Sequence, residues 1–175
     1  MSRWRLVGWG SAAVLLLLPL IAMQFTDEVH WDLADFIIAG VLMGSVGLLY
    51  EIVVRKTGNG AYRAGVGVAL VGAFLLVWVN GAVGLIGSEN NSANLMYAGV
   101  LGIGFIGAVI ARFKAQGMAY ALYAAALAVG LVAAIALIGD LGAPYNGPFE
   151  IIIPNAFFAT LFAGAGRLFQ VAARG

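Results

Sequence analysis

The chain has 175 residues, 63% of them hydrophobic and only 10% charged, with a formal net charge of +1 and a mean hydropathy of +1.00. A soluble domain carries roughly 25% charged residues, so this composition excludes a protein that covers itself with a polar surface, and no basic run points to nucleic acid. The absence of cysteine excludes disulfides, thiolate metal sites and cysteine nucleophiles.

The expected class is an all-α membrane protein, a single integral domain over residues 1–175 with six transmembrane helices. The first span runs over about residues 6–25, behind Arg3 and Arg5. A basic start and an apolar run also describe a signal peptide. No A-x-A-like site follows, so the segment reads as a retained helix. A polar connector, QFTDEVHWDLAD, leads into a second span over 36–54, which Arg55 and Lys56 close. TGNGAYR then makes a turn through its glycines and Asn59. The third span covers 64–87, and a polar SENNSAN loop separates it from the fourth, over 95–111. An alanine-rich fifth span over 117–139, the Gly/Pro loop DLGAPYNGPFE and a sixth span over 151–172 complete the chain. Each is near the 17–25 residues that cross roughly 30 Å of hydrocarbon. Lipid offers no partner to backbone polar groups, so the spans must be helices.

Charge sets the expected orientation. With the N-terminus in the cytoplasm, all nine Lys/Arg fall inside: Arg3, Arg5, Arg55, Lys56, Arg63, Arg112, Lys114, Arg167 and Arg174. Seven of the eight acids, Asp27, Glu28, Asp32, Asp35, Glu89, Asp140 and Glu150, fall outside. Complementing helix dipoles would explain Asp35, Glu150, Arg55 and Arg112, but not Arg3, Arg5 or Arg63, which precede helices. The positive-inside rule covers them all and gives a protein with both termini cytoplasmic. The string AGVL occurs at Ala39–Leu42 and at Ala98–Leu101, each near the start of an inward-running helix, with a Gly-to-Tyr turn beyond each helix (Gly60–Tyr62, Gly117–Tyr120). That pattern fits a parallel duplication of helices two and three as helices four and five, while short apolar strings also recur by chance in such compositions.

The densest run of hydrogen-bonding side chains lies between Trp78 and Tyr97, WVNGAVGLIGSENNSANLMY. Asn80, Ser88, Glu89, Asn91 and Asn94 are the candidate ligand- or ion-binding residues here, with Asn90 beside them, because carboxylate and amide oxygens suit hard cations. The competing structural reading has Ser92 or Asn94 capping the fourth helix and Asn80, about two turns inside the third, bonding to a neighbouring helix. Glu51, in the last turn of the second helix, is a candidate proton-accepting carboxylate; its structural reading is an ion pair with Arg55 at i,i+4. His30 with Asp27 and Asp32 forms a weak metal candidate, since a lone imidazole falls short of the usual ligand sets. Asp32 and Asp35 fit better as anions at a helix N-terminus. Gly102-x-Gly104-x-x-Gly107 spells a phosphate-loop string, but it follows no strand and carries no such function. Small-residue faces at Gly40/Gly44, Ala98/Gly102 and Thr160/Gly164 allow close helix approach, within the protein or to a partner. Pro154 falls in the expected first turn of the sixth helix.

The WVNGAVGLIGSENNSANLMY stretch with the following GVLGIGFIGAVIARF resembles a family of small uncharacterised bacterial inner-membrane proteins sharing W-x-N-x-A-V-G-I-I-G-S-E-x-N-x-A-N-L-M-Y. Trp78, Asn80, Ser88, Glu89, Asn91, Asn94 and Tyr97 fit that pattern, and Leu85 stands where isoleucine is common. The resemblance extends from about Trp31 to the sixth helix. It implies a bacterial inner membrane and brings no mechanism. The sequence holds no catalytic constellation and implies no cofactor. The leading expectation is a non-enzymatic accessory or scaffold subunit whose partners are membrane lipids and another membrane protein or a second copy. The alternatives are a small channel or transporter for a cation or small polar solute, using Asn80 and Glu89, and a lipid-handling enzyme or quinone-associated protein, for which the sequence offers no catalytic set.

Overall fold

The computed structural model describes residues 3–25, 30–55 and 57–175, with side chains from residue 8 onward. Asp27, Glu28 and Lys56, named above, lie outside the described residues, as do the side chains of Arg3 and Arg5. Every regular element among the described residues is helical: α1 (Arg3–Ala22), α2 (Leu33–Val54), α3 (Gly60–Ala82), α4 (Met96–Ile110), α5 (Ala115–Ile138) and α6 (Pro148–Arg174), with a short 3₁₀ helix at Ser92–Leu95 before α4. The five stretches Leu33–Val54, Gly60–Ala82, Ser92–Ile110, Ala115–Ile138 and Pro148–Arg174 are long and apolar enough to cross a membrane. α4 alone has 15 residues, about 22 Å at 1.5 Å per residue, and the 3₁₀ turn extends it to a 19-residue span. The apolar part of α1 among the described residues is shorter, Gly8–Ala22.

The chain divides into two compact units, residues 1–52 and 53–175. In the first, α1 carries Trp9, whose indole Nε1 donates to Glu51 Oε1 at 2.9 Å. The ring lies over Gly47, where a Cβ would come within 3.0 Å of it. At the start of α2, Asp32 and Asp35 bond reciprocally: Asp35 N–H donates to Asp32 Oδ1 at 3.0 Å and Asp32 N–H to Asp35 Oδ2 at 2.9 Å. This is a capping box with Asp in the place of Glu, which agrees with the helix-terminal reading of those acids.

In the second unit, α6 packs against both α3 and α5, and α5 packs against α4. The stripe Ile151, Asn155, Phe158, Phe162, Ala165 and Phe169 is buried along α6, at the three- and four-residue spacing of one helical face. Phe162 lies over Gly72 and Phe169 over Gly65 of α3, while Tyr123 of α5 lies over Gly166. Lipid is as apolar as leucine, so such knob-on-glycine contacts, rather than escape from water, hold helices together here. α5 turns a second, smaller face to α4: a Cβ on Gly107 would sit 2.6 Å from Ala121 Cβ, and one on Gly104 4.0 Å from Ala125 Cβ.

Three expectations need correction here. The third helix ends at Ala82, not 87, because the chain turns at Gly84 with φ +71°. The sixth begins at Pro148, so Pro154 lies inside it and not in its first turn. Gly60–Tyr62 and Gly117–Tyr120 are helical residues of α3 and α5, not turns. Of the small-residue faces, Cβ atoms on Gly44, Gly102 and Gly164 would meet nothing within 4 Å, while one on Gly40 would lie 3.7 Å from Leu16 Cδ2.

Candidate functional site

Contacts between the elements mark two ends in the second unit. At one end, Asn59 caps α3 by accepting from Tyr62 N–H, and its Nδ2 donates to Ala172 O at 3.3 Å. Tyr62 OH donates to Phe113 O at 2.7 Å, and its ring meets Phe169 edge-on. Arg63, Arg112, Lys114 and Arg174 belong to this end by sequence position. At the opposite end the residues between α3 and α4 meet those between α5 and α6, and Glu89, Asp140 and Glu150 lie there. Within the second unit, these charges of opposite sign are thus separated between its two ends.

The acidic end is built around Asn94. This residue is only 5% exposed. Its Oδ1 accepts from the N–H groups of Leu85 at 3.1 Å and Ile86 at 3.0 Å. Its Nδ2 donates to Ile86 O at 3.1 Å and Ser88 O at 2.7 Å. A carboxamide has two donors and two acceptor lone pairs, so all its capacity is engaged. Leu85 and Ile86 are themselves buried, and the asparagine supplies the partners their backbone would otherwise lack. Asn80 backs this arrangement from α3: its Nδ2 donates to Asn94 O at 3.3 Å, and its Oδ1 accepts from Leu85 N–H at 3.4 Å.

Asn91 links the two loops. Its Oδ1 accepts from Ala93 N–H at 3.0 Å, capping the 3₁₀ turn, while its Nδ2 donates to Leu141 O at 2.8 Å. Asn146 returns the link, its Oδ1 accepting from Gly87 N–H. Just below, Tyr97 OH donates to Asn155 Oδ1 at 2.9 Å, and Asn155 Nδ2 donates to Ile151 O at 2.8 Å. Among the described residues no buried side-chain polar atom lacks a partner.

The candidate residues thus divide. Asn80, Asn91 and Asn94 come together, and their amides serve the protein's own backbone. Capping falls to Asn91, and neither Ser92 nor Asn94 has that role; α4 starts from Leu95 with no side-chain cap. Ser88 contributes its carbonyl, and Glu89 stands exposed with Asn90 Nδ2 donating to its Oε1 at 2.9 Å. Glu51 belongs to the other unit, where it accepts from Trp9 Nε1. No three of His, Asp and Glu gather to hold a metal among the described residues; His30 is exposed, Asp32 is engaged with Asp35, and Asp27 lies outside them. Sequence reasoning missed Asn146, Asn155 and Trp9. Asn155, a polar residue inside an apolar span, carried the same signal as Asn80. Asn146 sits in a loop where polar residues are ordinary, and Trp9 lies 42 positions from its partner.

The second unit also has an open helix face. On α4, Ala98 and Gly102 line up with Phe105 and Val109 at helical spacing; Phe105 is 69% and Val109 50% exposed. Apolar spans of this length, joined through polar loops that bond only at the ends, define a multi-pass helical membrane protein. No protein-family model, curated protein or solved structure matches the chain.

Proposed function

We propose that the protein is a non-enzymatic accessory or scaffold subunit of a membrane complex, laying the Ala98–Gly102–Phe105–Val109 face of α4 against a helix of another membrane protein or of a second copy. The observation that carries this reading is the open small-residue position on that face. Gly102 has free space where a Cβ would project, and large exposed side chains follow it on the same face, a combination that lets a foreign helix approach closely. The engagement of Asn94 and Asn91 with the backbone favours the same reading over a channel mouth.

The test is gentle extraction from native membranes and mass spectrometry of what co-migrates. Wild-type protein is expected to carry one partner, or itself, at fixed stoichiometry, and Gly102→Leu to lose it while melting as wild type does. Migration alone, with a liposome flux that Glu89→Gln abolishes, would replace this reading with the channel.

The reading includes six spans with both termini cytoplasmic, in a bacterial inner membrane, within the family whose W-x-N-x-A-V-G stretch this chain resembles. Support for the orientation comes from the gathering of Arg63, Arg112, Lys114 and Arg174 at one end, which the positive-inside rule places in the cytoplasm. The duplication of helices two and three as four and five rests on the AGVL pair. A cysteine at Thr57, at the basic end, is expected to resist a membrane-impermeant thiol reagent in intact cells and to react after permeabilisation. Labelling in intact cells would reverse the orientation.

A further inference from the structure

A second surface lies on the opposite side of α5 from α4. Tyr123, Ala126 and Leu127 of α5 and Ala159, Thr160 and Ala163 of α6 line a shallow groove of about 520 Å³, open to the side. Its small side chains make the depression, and Thr160 keeps its hydroxyl on its own helix, donating to Ala156 O at 2.7 Å. The groove wall is therefore apolar up to Tyr123, where the chemistry changes. Tyr123 OH donates to Gln170 Oε1 at 3.4 Å, and Arg167 Nη1 donates to the same oxygen at 2.8 Å. Arg167 is exposed, and no carboxylate among the described residues pairs with it. A guanidinium has five N–H donors, so one bond to Gln170 orients the group and leaves the others facing outward.

Position along the membrane normal is set by α6 itself. Arg167 precedes Arg174 by seven residues, about 10 Å of helix, and Ala163, Arg167, Gln170 and Arg174 follow the spacing of one face. A cation thus stands at the interfacial end of an apolar groove, at the basic end of the unit.

We propose that this groove binds an anionic phospholipid of the leaflet at the basic end, with an acyl chain lying against Ala126, Ala159 and Ala163 and the phosphate on Arg167. Charge complementarity selects this occupant. A zwitterionic lipid brings an ammonium to an end that already carries Arg167 and Arg174, and a helix from a second copy would set its apolar side chains against the Arg167 guanidinium. This proposal is independent of the partner face on α4.

The experiment is native mass spectrometry of the purified full chain released from nanodiscs of equimolar phosphatidylglycerol and phosphatidylcholine with matched acyl chains. Wild-type protein is expected to retain phosphatidylglycerol over phosphatidylcholine by about fivefold, the size expected for one cation at an anionic surface. Arg167→Gln, at an exposed position, is expected to abolish the preference. Ala163→Phe, which fills the groove, is expected to reduce retention of both lipids. Equal retention of the two lipids by the wild type, a preference unchanged in Arg167→Gln, or a dimer mass that Ala163→Phe removes would each overturn the proposal.

Discussion

Asn94→Ala is expected to destabilise the protein by about 3–5 kcal/mol, among the largest single-residue effects in the chain. Truncation removes the four hydrogen bonds that Asn94 makes to Leu85, Ile86 and Ser88. The larger part of the cost is what stays behind. Ile86 is fully buried, so its N–H loses its partner without gaining water, at roughly 1–3 kcal/mol for such a group, while Leu85 N–H keeps only its longer bond to Asn80 Oδ1 at 3.4 Å. Thermal unfolding in a mild detergent, followed by circular dichroism, measures the effect. Asn94→Asp tests the donor side: it keeps the acceptors for Leu85 and Ile86 but sets a carboxylate oxygen against Ile86 O and Ser88 O, so it should also lower the midpoint, because a buried charge facing carbonyl oxygens is costly. Asn90→Ala, at an exposed position, should change the midpoint little. An Asn94→Ala protein that melts with the wild type would show that the loop does not depend on this side chain.

Gly84→Ala is expected to be at least as damaging. Gly84 has φ +71°, a left-handed conformation that L-residues reach at about 1–2 kcal/mol. Space is the greater obstacle. The new Cβ would lie 2.4 Å from the Ser88 carbonyl carbon and oxygen and 2.7 Å from Glu89 N. These are backbone atoms, unable to swing aside as a side-chain tip does, and Ser88 O is also the acceptor of Asn94 Nδ2. The clash therefore propagates into the Asn94 network. Proteolysis is the sensitive readout: cleavage within residues 83–91 should appear in Gly84→Ala at protease levels that leave the wild type intact. Alanine at Gly81, where a Cβ meets nothing within 4 Å, is the matched control and should be silent.

Much of the helical architecture was legible because apolar runs of span length have one outcome in lipid. What failed to show has physical causes. The end of α3 was misplaced because Ala82–Gly87 is as apolar as the helix before it, and only the backbone turn at Gly84 stops it. The face of α4 that meets α5 could not be told from the sequence for a related reason. Ala98/Gly102 and Gly104/Gly107 are equally small and apolar, and in a helix surrounded by lipid and protein alike, apolar periodicity does not distinguish inside from outside. The polar residues from Asn80 to Asn94 stood out in composition. Their division of labour did not, because Asn94 recognises the backbone of Leu85 and Ile86, groups that every residue possesses. Asn155 could have been singled out by the argument used for Asn80. Its partner, Tyr97, lies 58 positions away and needed the fold.

The central place of α6 bears on how the protein is made. Synthesis proceeds from the N-terminus, so α3, α4 and α5 enter the membrane before α6 exists. Until then the hollows at Gly65 and Gly72 have neither Phe169 nor Phe162 to fill them, and Tyr97 has no Asn155 to receive its hydroxyl. The links from Asn91 to Leu141 and from Asn146 to Gly87 likewise wait for the loop that precedes the last helix. A nascent chain that stalls after α5 therefore leaves an unfilled seam along α3, open to quality-control proteases or to any chaperone that shields small-residue helix faces. The packing of α3, α4 and α5 thus waits for a helix that is made after all three of them.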